Sequence, residues 1–330
     1  MIPFDYQRAS TVPEAFRTAT GREDSAYLAG GTNIVDHMKL GIATPGLLVD
    51  VSELPLDGVD ERDDGGLRIG ATVRNSDPAA HPLVRSRYPL LSEALLSGAS
   101  GQLRNVATTG GNLLQRTRCV YFQDSTTPCN KRDPGSGCSA IGGYNRHHAI
   151  FGASDSCIAV HPSDMAVALA ALDADVIVYG QAGESRIPLE DFYRLPGDTP
   201  TQDTVLNHAD IVTAVELPPP HAGSRSHYVK VRDRATFAFA LVSVAAIVEI
   251  ADGRAISSAR IALGGVAHKP WRARRAEAVL RGAAIDTAVF RSAAETELGE
   301  SDPLPGNRFK VPLLVNTVVD VLEHLTEERR

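Results

Sequence analysis

The sequence predicts an α+β fold in two parts, and three features carry that prediction. Up to residue 217, short apolar strands alternate with helical segments and glycine turns. Pro218-Pro219-Pro220 then interrupts the chain. Proline fixes its own φ and restricts the residue before it, so neither a helix nor a strand runs through. Beyond the prolines, three strand-like runs precede three helical runs, the order expected of a small α+β domain.

Residues 4–50 read as a small α/β unit. Ser10 or Thr11 caps a helix that tolerates Pro13 in its first turn and places Glu14 at the positive end. Ala26-Tyr27-Leu28-Ala29 is a short strand, the segment from Ile34 to Leu40 is helical, and Leu47-Leu48-Val49-Asp50-Val51 is a buried strand. Further on come the strand Leu67-Arg68-Ile69-Gly70 and a helical segment from Leu90 to Ser97. Met165 to Leu172 is an apolar helix that Ser163 or Asp164 can cap, followed by strands at Asp175 to Tyr179 and Ile211 to Leu217. After the prolines, Tyr228 to Val231, Leu241 to Ile250 and Ile256 to Leu263 are strands, the last two joined by an Asp252-Gly253 turn. Helices are expected from Arg272 to Leu280, Asp286 to Leu298 and Lys310 to Glu328.

Two glycine motifs stand between these elements. Gly30-Gly31-Thr32-Asn33 links a strand to a helix, and Thr108-Thr109-Gly110-Gly111-Asn112 follows Val106-Ala107. Strand, glycine pair, polar cap and helix present backbone N–H groups to a phosphate. Alone, either pair reads equally well as a tight turn. Two of them, each flanked by Thr and Asn, favour a phosphate cradle in which hydroxyls, amides and backbone N–H groups hold a pyrophosphate without a lysine. Neither is a G-x-G-x-x-G fingerprint or a Walker loop.

The four cysteines, Cys119, Cys129, Cys138 and Cys157, all lie within 39 residues, with gaps of nine, eight and eighteen. The intervening stretch is rich in Pro and Gly and has neither helical nor alternating periodicity, so it is a long loop of the kind that is usually functional or disordered. Zinc sites favour Cys pairs two to four residues apart, and none occurs here. Wide spacing suits an iron–sulfur cluster, whose thiolates arrive from several directions. Spacing alone leaves the cluster, a zinc site and separate thiols all open.

A net charge of −7 argues against a nucleic-acid binder, and no apolar run reaches the length needed to span a bilayer. The first residues, Met1-Ile2-Pro3-Phe4-Asp5-Tyr6, carry no signal-peptide pattern, so this chain is expected to be cytoplasmic, or periplasmic by export with a partner that bears the signal. No Ser/His/Asp nucleophile system stands out, and His37 and His81 read as surface or capping residues. No catalytic residue is assigned to this chain.

Leu28-Ala29-Gly30-Gly31-Thr32-Asn33, Thr108-Thr109-Gly110-Gly111-Asn112-Leu113 and Pro162-Ser163-Asp164, in that order, resemble the flavin-binding signatures of the FAD subunit of molybdenum hydroxylases. Xanthine dehydrogenase, carbon monoxide dehydrogenase and bacterial aldehyde oxidoreductases belong to that family. The resemblance implies a two-subdomain FAD-binding fold of the vanillyl-alcohol-oxidase (PCMH) type. A small C-terminal α+β domain of the CO dehydrogenase flavoprotein type would follow it. The FAD-binding domain would cover residues 1–220 (subdomains of about 1–55 and 56–220), and the C-terminal domain residues 221–330. It also implies that Leu28, Ala29, Gly30, Gly31, Thr32, Asn33 and Ile34 face Thr108, Thr109, Gly110, Gly111 and Asn112 across FAD. Asp164 would hold the ribose region, with Val212 or Thr213 and Lys230 near the isoalloxazine.

Most of that family passes almost directly from the Gly-Gly-Asn turn to the Ser-Asp motif. The extra segment here, residues 115–160, resembles the loop of periplasmic aldehyde oxidoreductase flavin subunits. That implies Cys119, Cys129, Cys138 and Cys157 as ligands of a [4Fe–4S] cluster that need not lie on the main electron path. Arg116, Arg118, Lys131 and Arg132 are expected to offset thiolate charge, and metal–ligand bonds to supply order that a loop this polar lacks. The implied partners are a molybdenum-cofactor large subunit, a [2Fe–2S] small subunit and an external electron acceptor. Two rivals are a self-sufficient FAD oxidoreductase and a zinc-stapled, non-redox assembly module. Flavin and cluster bands, flavin bands alone, or neither would separate the three in a visible spectrum.

Overall fold

In the computed structural model, which describes residues 1–327, the strands form three sheets. The first is parallel, in the order Asp5–Arg8, Leu47–Asp50, Ser25–Leu28. Its helix Val12–Thr20 is capped as its sequence requires: Thr11 Oγ1 accepts from Glu14 N at 3.3 Å, while the Ser10 N–H donates to the Glu14 carboxylate at 2.8 Å. Ala15 and Ala19 on that helix pack against Leu47, Val49 and Val51 in a small core.

The second sheet is antiparallel, in the order Val59–Glu61, Leu67–Gly70, Ile211–Leu217, Asp175–Gly180, Gly183–Pro188. Helices Pro89–Ser97 and Asp164–Ala171 cover it. The central strand Ile211–Leu217 is buried at every residue, which is why it reads as a continuous apolar run rather than an alternating one. The edge strands Asp5–Arg8 and Gly183–Pro188 carry no such signal, and sequence patterning missed them. A polar edge strand is specified by the backbone of its partner, not by burial of its own side chains.

The third sheet, also antiparallel, runs Trp271–Arg272, Ala255–Gly264, Val242–Ala251, Arg225–Val231. Asp252 and Gly253 both adopt positive φ, at 50° and 66°, as a tight turn between two twisted strands demands. One face of this sheet packs under helices Arg274–Leu280, Thr287–Leu298 and Lys310–Thr326. The other face sends Tyr228, Ala245, Ile247 and Ala262 into the core of the second sheet, so that core takes residues from both sides of Pro218-Pro219-Pro220. The last expected helical residue, Glu328, lies outside the described residues. At the start of that helix the fully buried Lys310 ammonium donates to His148 O and Gly265 O at 2.8 and 2.7 Å. Its burial pushes its pKa down to about 7.

His227 also joins the two halves. Its Nδ1 lies 3.0 Å from Glu93 on helix Pro89–Ser97, and this hydrogen bond raises its pKa above the ordinary value. A histidine with a raised folded pKa contributes stability that is complete below the unfolded value of about 6.5 and is lost as pH rises through the folded one. Because both side chains are partly exposed, the contribution is small, about 0.5 kcal/mol. The melting-temperature difference between wild type and His227→Gln should therefore be largest below pH about 6.5 and shrink above it. A difference that is flat with pH would show that the imidazolium contributes nothing.

Candidate functional site

The two glycine motifs touch each other through their backbones. A Cβ on Gly30 would overlap the Val106 carbonyl, so only glycine lets residues 30 and 106 approach this closely. Gly31 holds φ at +72° and sends the chain into helix Ile34–Leu40. The backbone N–H groups of Gly30, Gly31, Thr32 and Asn33 donate to no protein acceptor among the described residues. Asn33 does not cap the helix with its side chain; its Oδ1 instead accepts from Arg116 N at 3.0 Å.

The second motif behaves differently. Residues Thr109–Leu113 form a short helix, with Thr108 Oγ1 accepting from Gly111 N at 3.2 Å. Thr109 N and Gly110 N donate to Val73 O and Ala71 O, and the Thr109 hydroxyl donates to Val73 O as well. Asn112 Oδ1 accepts from Ser163 Oγ at 2.6 Å and from Gln115 Nε2 at 2.8 Å. This motif therefore offers shape and little free hydrogen bonding, whereas the first offers four open amides.

Two large cavities meet between the motifs. One, of about 290 Å³, is walled by Ala29, Gly30, Gly31 and Ile34, by Thr108 and Gly110, and by the apolar side chains of Val51, Leu54, Ile211 and Val212. The other, of about 330 Å³, is walled by Asn112, Asp164, Lys230, Arg104, Arg118 and Phe239. Thr32, Asn33 and Gly111 line both. Val212 and Lys230 thus face different cavities, and Thr213 and Leu28 line neither. Thr213 is turned into the sheet, its hydroxyl donating to Ile177 O at 3.3 Å. Thr109 also lines neither cavity, for the hydrogen-bonding reason given above.

Capping falls to Ser163, whose Oγ accepts from Ala166 N at 3.0 Å. That frees the neighbouring carboxylate. Asp164 accepts from Tyr228 OH at 2.6 Å and from Lys230 Nζ at 2.8 Å, and both charged side chains are almost wholly buried. Burial, together with the Asp164 charge, drives the Tyr228 phenol well above its usual pKa, so it stays a proton donor.

The four cysteines, all free thiols, line one small cavity with Phe122, Lys131 and His148. Cys129 and Cys138 face each other across an isolated antiparallel bridge, and Cys157 sits in another with Ser154. His148 Nε2 lies 3.1 Å from Cys119 Sγ. Burial pushes the Cys119 thiol up and the Cys157 thiol up to about 12. No three His, Cys, Asp or Glu side chains among the described residues are grouped as for a single metal ion.

Three expectations need correction, two of them about this segment. Of the basic residues expected to offset thiolate charge, only Lys131 lines the cysteine cavity, and its ammonium is bound to Asp203 and Pro200 O. Arg116 pairs with Asp203 at 2.7 Å, Arg118 points into the larger cavity, and Arg132 donates to the carbonyls of Tyr121, Phe122 and Thr127. The segment is not short of protein contacts either: Asn130 Oδ1 accepts from Gly135 N and Gly137 N while its Nδ2 donates to Ser156 O. Finally, His37 is buried, packed edge-on against Phe122 at 5.7 Å, and burial lowers its pKa to about 4.

Residues 2–220 match the family described as FAD binding domain in molybdopterin dehydrogenase, and residues 227–310 the CO dehydrogenase flavoprotein C-terminal domain. The chain belongs to this family. It is an FAD-binding subunit of the molybdenum hydroxylase type, and thus an oxidoreductase flavoprotein. It is 53% identical to the aldehyde oxidoreductase FAD-binding subunit PaoB of Escherichia coli K12 over 98% of both chains. It is 27% identical to the glyceraldehyde dehydrogenase medium chain of Sulfolobus acidocaldarius, covering 92% of this chain and 90% of that one. Its fold superimposes on carbon monoxide dehydrogenase from Hydrogenophaga pseudoflava with a TM-score of 0.77 at 25% identity, over 98% of both chains. Among the described residues, no helix is long and apolar enough to cross a membrane.

Within this flavoprotein the Asp164–Lys230 pair is the most exposed to simple mutational test. Removing one member of a buried pair leaves the other charge uncompensated, at a cost of about 3–5 kcal/mol. Asp164→Ala should lose about that much in urea unfolding, and Asp164→Ala with Lys230→Met should lose less than Asp164→Ala alone. If the double variant loses the sum of the two single ones, the side chains are not coupled.

Proposed function

We propose that this chain is the FAD and iron–sulfur electron-transfer subunit of a heterotrimeric aldehyde oxidoreductase. A molybdenum-cofactor large subunit and a [2Fe–2S] small subunit would be its electron source, and an external acceptor its outlet. The observation that carries the reading is the pair of cavities meeting at Thr32, Asn33 and Gly111, beside four amides that lack a protein acceptor. An elongated dinucleotide with a charged middle is the ligand such a channel fits. FAD, when bound, exchanges electrons singly or in pairs.

The chain's own residues divide the work. Val51, Leu54, Ile211 and Val212 give the first cavity an apolar wall suited to the adenine end. Thr32, Asn33 and Gly111 flank the diphosphate. The second cavity suits the isoalloxazine, because the exposed Phe237 and Phe239 on its rim leave that end within reach of a redox partner. There Tyr228 and Lys230 hold the Asp164 carboxylate fixed as an acceptor. We read residues 1–220 as the cofactor-binding unit and 221–330 as a domain that closes it by supplying Lys230. In the cysteine cavity, Cys119, Cys129, Cys138 and Cys157 would hold a [4Fe–4S] cluster. Four thiols that arrive from separate stretches of chain, widely spaced in sequence, to line one cavity support a cluster over zinc, whose cysteines usually come in close pairs.

A Cβ on Gly111 would meet only Thr108 Oγ1, at 3.0 Å, so enlarging this residue tests the cavity with little damage to the fold. Gly111→Val should fold and lose most of its FAD, measured as flavin per chain after gel filtration; full occupancy would end the assignment. Anaerobically purified chain freed of any [2Fe–2S] partner should carry roughly four irons, and stoichiometric zinc or a Cys–Cys disulfide without iron would end the cluster reading. Aldehyde turnover by the isolated chain with a dye acceptor would sink the subunit reading.

A further inference from the structure

Four basic side chains line the two large cavities: Arg104, Arg116, Arg118 and Lys230. Three are already engaged. Arg104 donates to Gly98 O at 2.7 Å, Arg116 pairs with Asp203 at 2.7 Å, and Lys230 pairs with Asp164 at 2.8 Å. Arg118 is the exception. Its Nε is buried without a hydrogen-bond partner among the described residues, and the guanidinium lies 5.2 Å from the centre of the Phe239 ring. Asp36 is the one carboxylate whose field acts on it, and the two make no ion pair.

Arg118 is half-buried, and a guanidinium partly shielded from water with no carboxylate paired to it favours an anion that comes to it. Phe239 covers a face and supplies no charge, so the terminal donors at the cavity wall are left for whatever fills it. On the FAD reading above, that ligand has one group that is anionic in every redox state, its diphosphate; the oxidised isoalloxazine is neutral. A cation with no paired carboxylate in the resting protein is matched by the first and not by the second. We infer that Arg118 binds the diphosphate of FAD. The cysteine segment, through the residue beside Cys119, thereby supplies the positive charge that both glycine motifs lack.

The test uses the full chain, stripped of flavin and titrated with FAD by flavin fluorescence. Wild type is measured first: if it binds no FAD, the underlying reading fails and this inference with it. Given wild-type binding, Arg118→Gln should weaken FAD affinity by about 10- to 100-fold, as expected for loss of a charge-assisted hydrogen bond. Arg118→Lys should recover part of the loss, since a point charge replaces a fork of donors. At saturating FAD, the flavin visible bands and midpoint potential of Arg118→Gln should match wild type. Unchanged affinity would overturn the inference. So would a shifted flavin potential, which places Arg118 against the isoalloxazine. A lowered melting temperature of the flavin-free Arg118→Gln protein would make the role structural and overturn it too.

Discussion

The contact between Gly30 and the Val106 carbonyl sets the geometry of everything around it. One partner leaves the parallel sheet after Ser25–Leu28; the other runs into Thr109–Leu113, which is tied to the antiparallel sheet by Gly110 N to Ala71 O. Two segments from different sheets meet there backbone against backbone. Without side chains between them, the cavities on either side share Thr32, Asn33 and Gly111 and become one channel. A β-carbon at residue 30 would force the sheets apart and separate the two ends of that channel.

The cysteine segment is fastened to this junction. Asn33 takes the N–H of Arg116, the Arg116 guanidinium lies over Phe122 at 4.8 Å, and Phe122 is both a wall of the cysteine cavity and the ring on which His37 packs. Asp203, held below the usual carboxylate range by Arg116 and Lys131 against the opposing effect of its burial, fastens the segment from its other side. Polar side chains bonded to backbone carbonyls and amides do here what an apolar core does elsewhere. They satisfy an irregular backbone that could not be buried otherwise.

The C-terminal domain completes the site and is not merely attached to it. Lys230 and Tyr228 lie on its edge strand Arg225–Val231 and reach Asp164 on a helix of the other sheet's layer. Two donors fix both oxygens of one buried carboxylate, so the charge is balanced and the rotamer is set by groups from two sheets. The shared apolar core that includes Tyr228, Ala245 and Ile247 keeps those groups in register.

Burial periodicity and turn chemistry are local properties, and they determined most elements here: helix Ile34–Leu40, strand Leu67–Gly70 and strand Ile211–Leu217 stand at the positions their own residues dictate. The glycine motifs and the cysteine run were legible for the same reason, since each is marked by its own local composition. Partner choice was not. Which cavity Val212 faces, why Thr109 turns inward and why Ser163 rather than Asp164 caps its helix follow from neighbours far away in the chain. The same holds for charge: of four basic residues close to the cysteines in sequence, Arg116 and Lys131 converge on Asp203 while Arg118 and Arg132 go elsewhere. Sequence distance bounds where a long side chain can reach, but the backbone direction at its Cα decides where it goes, and only the packing of three sheets fixes that direction.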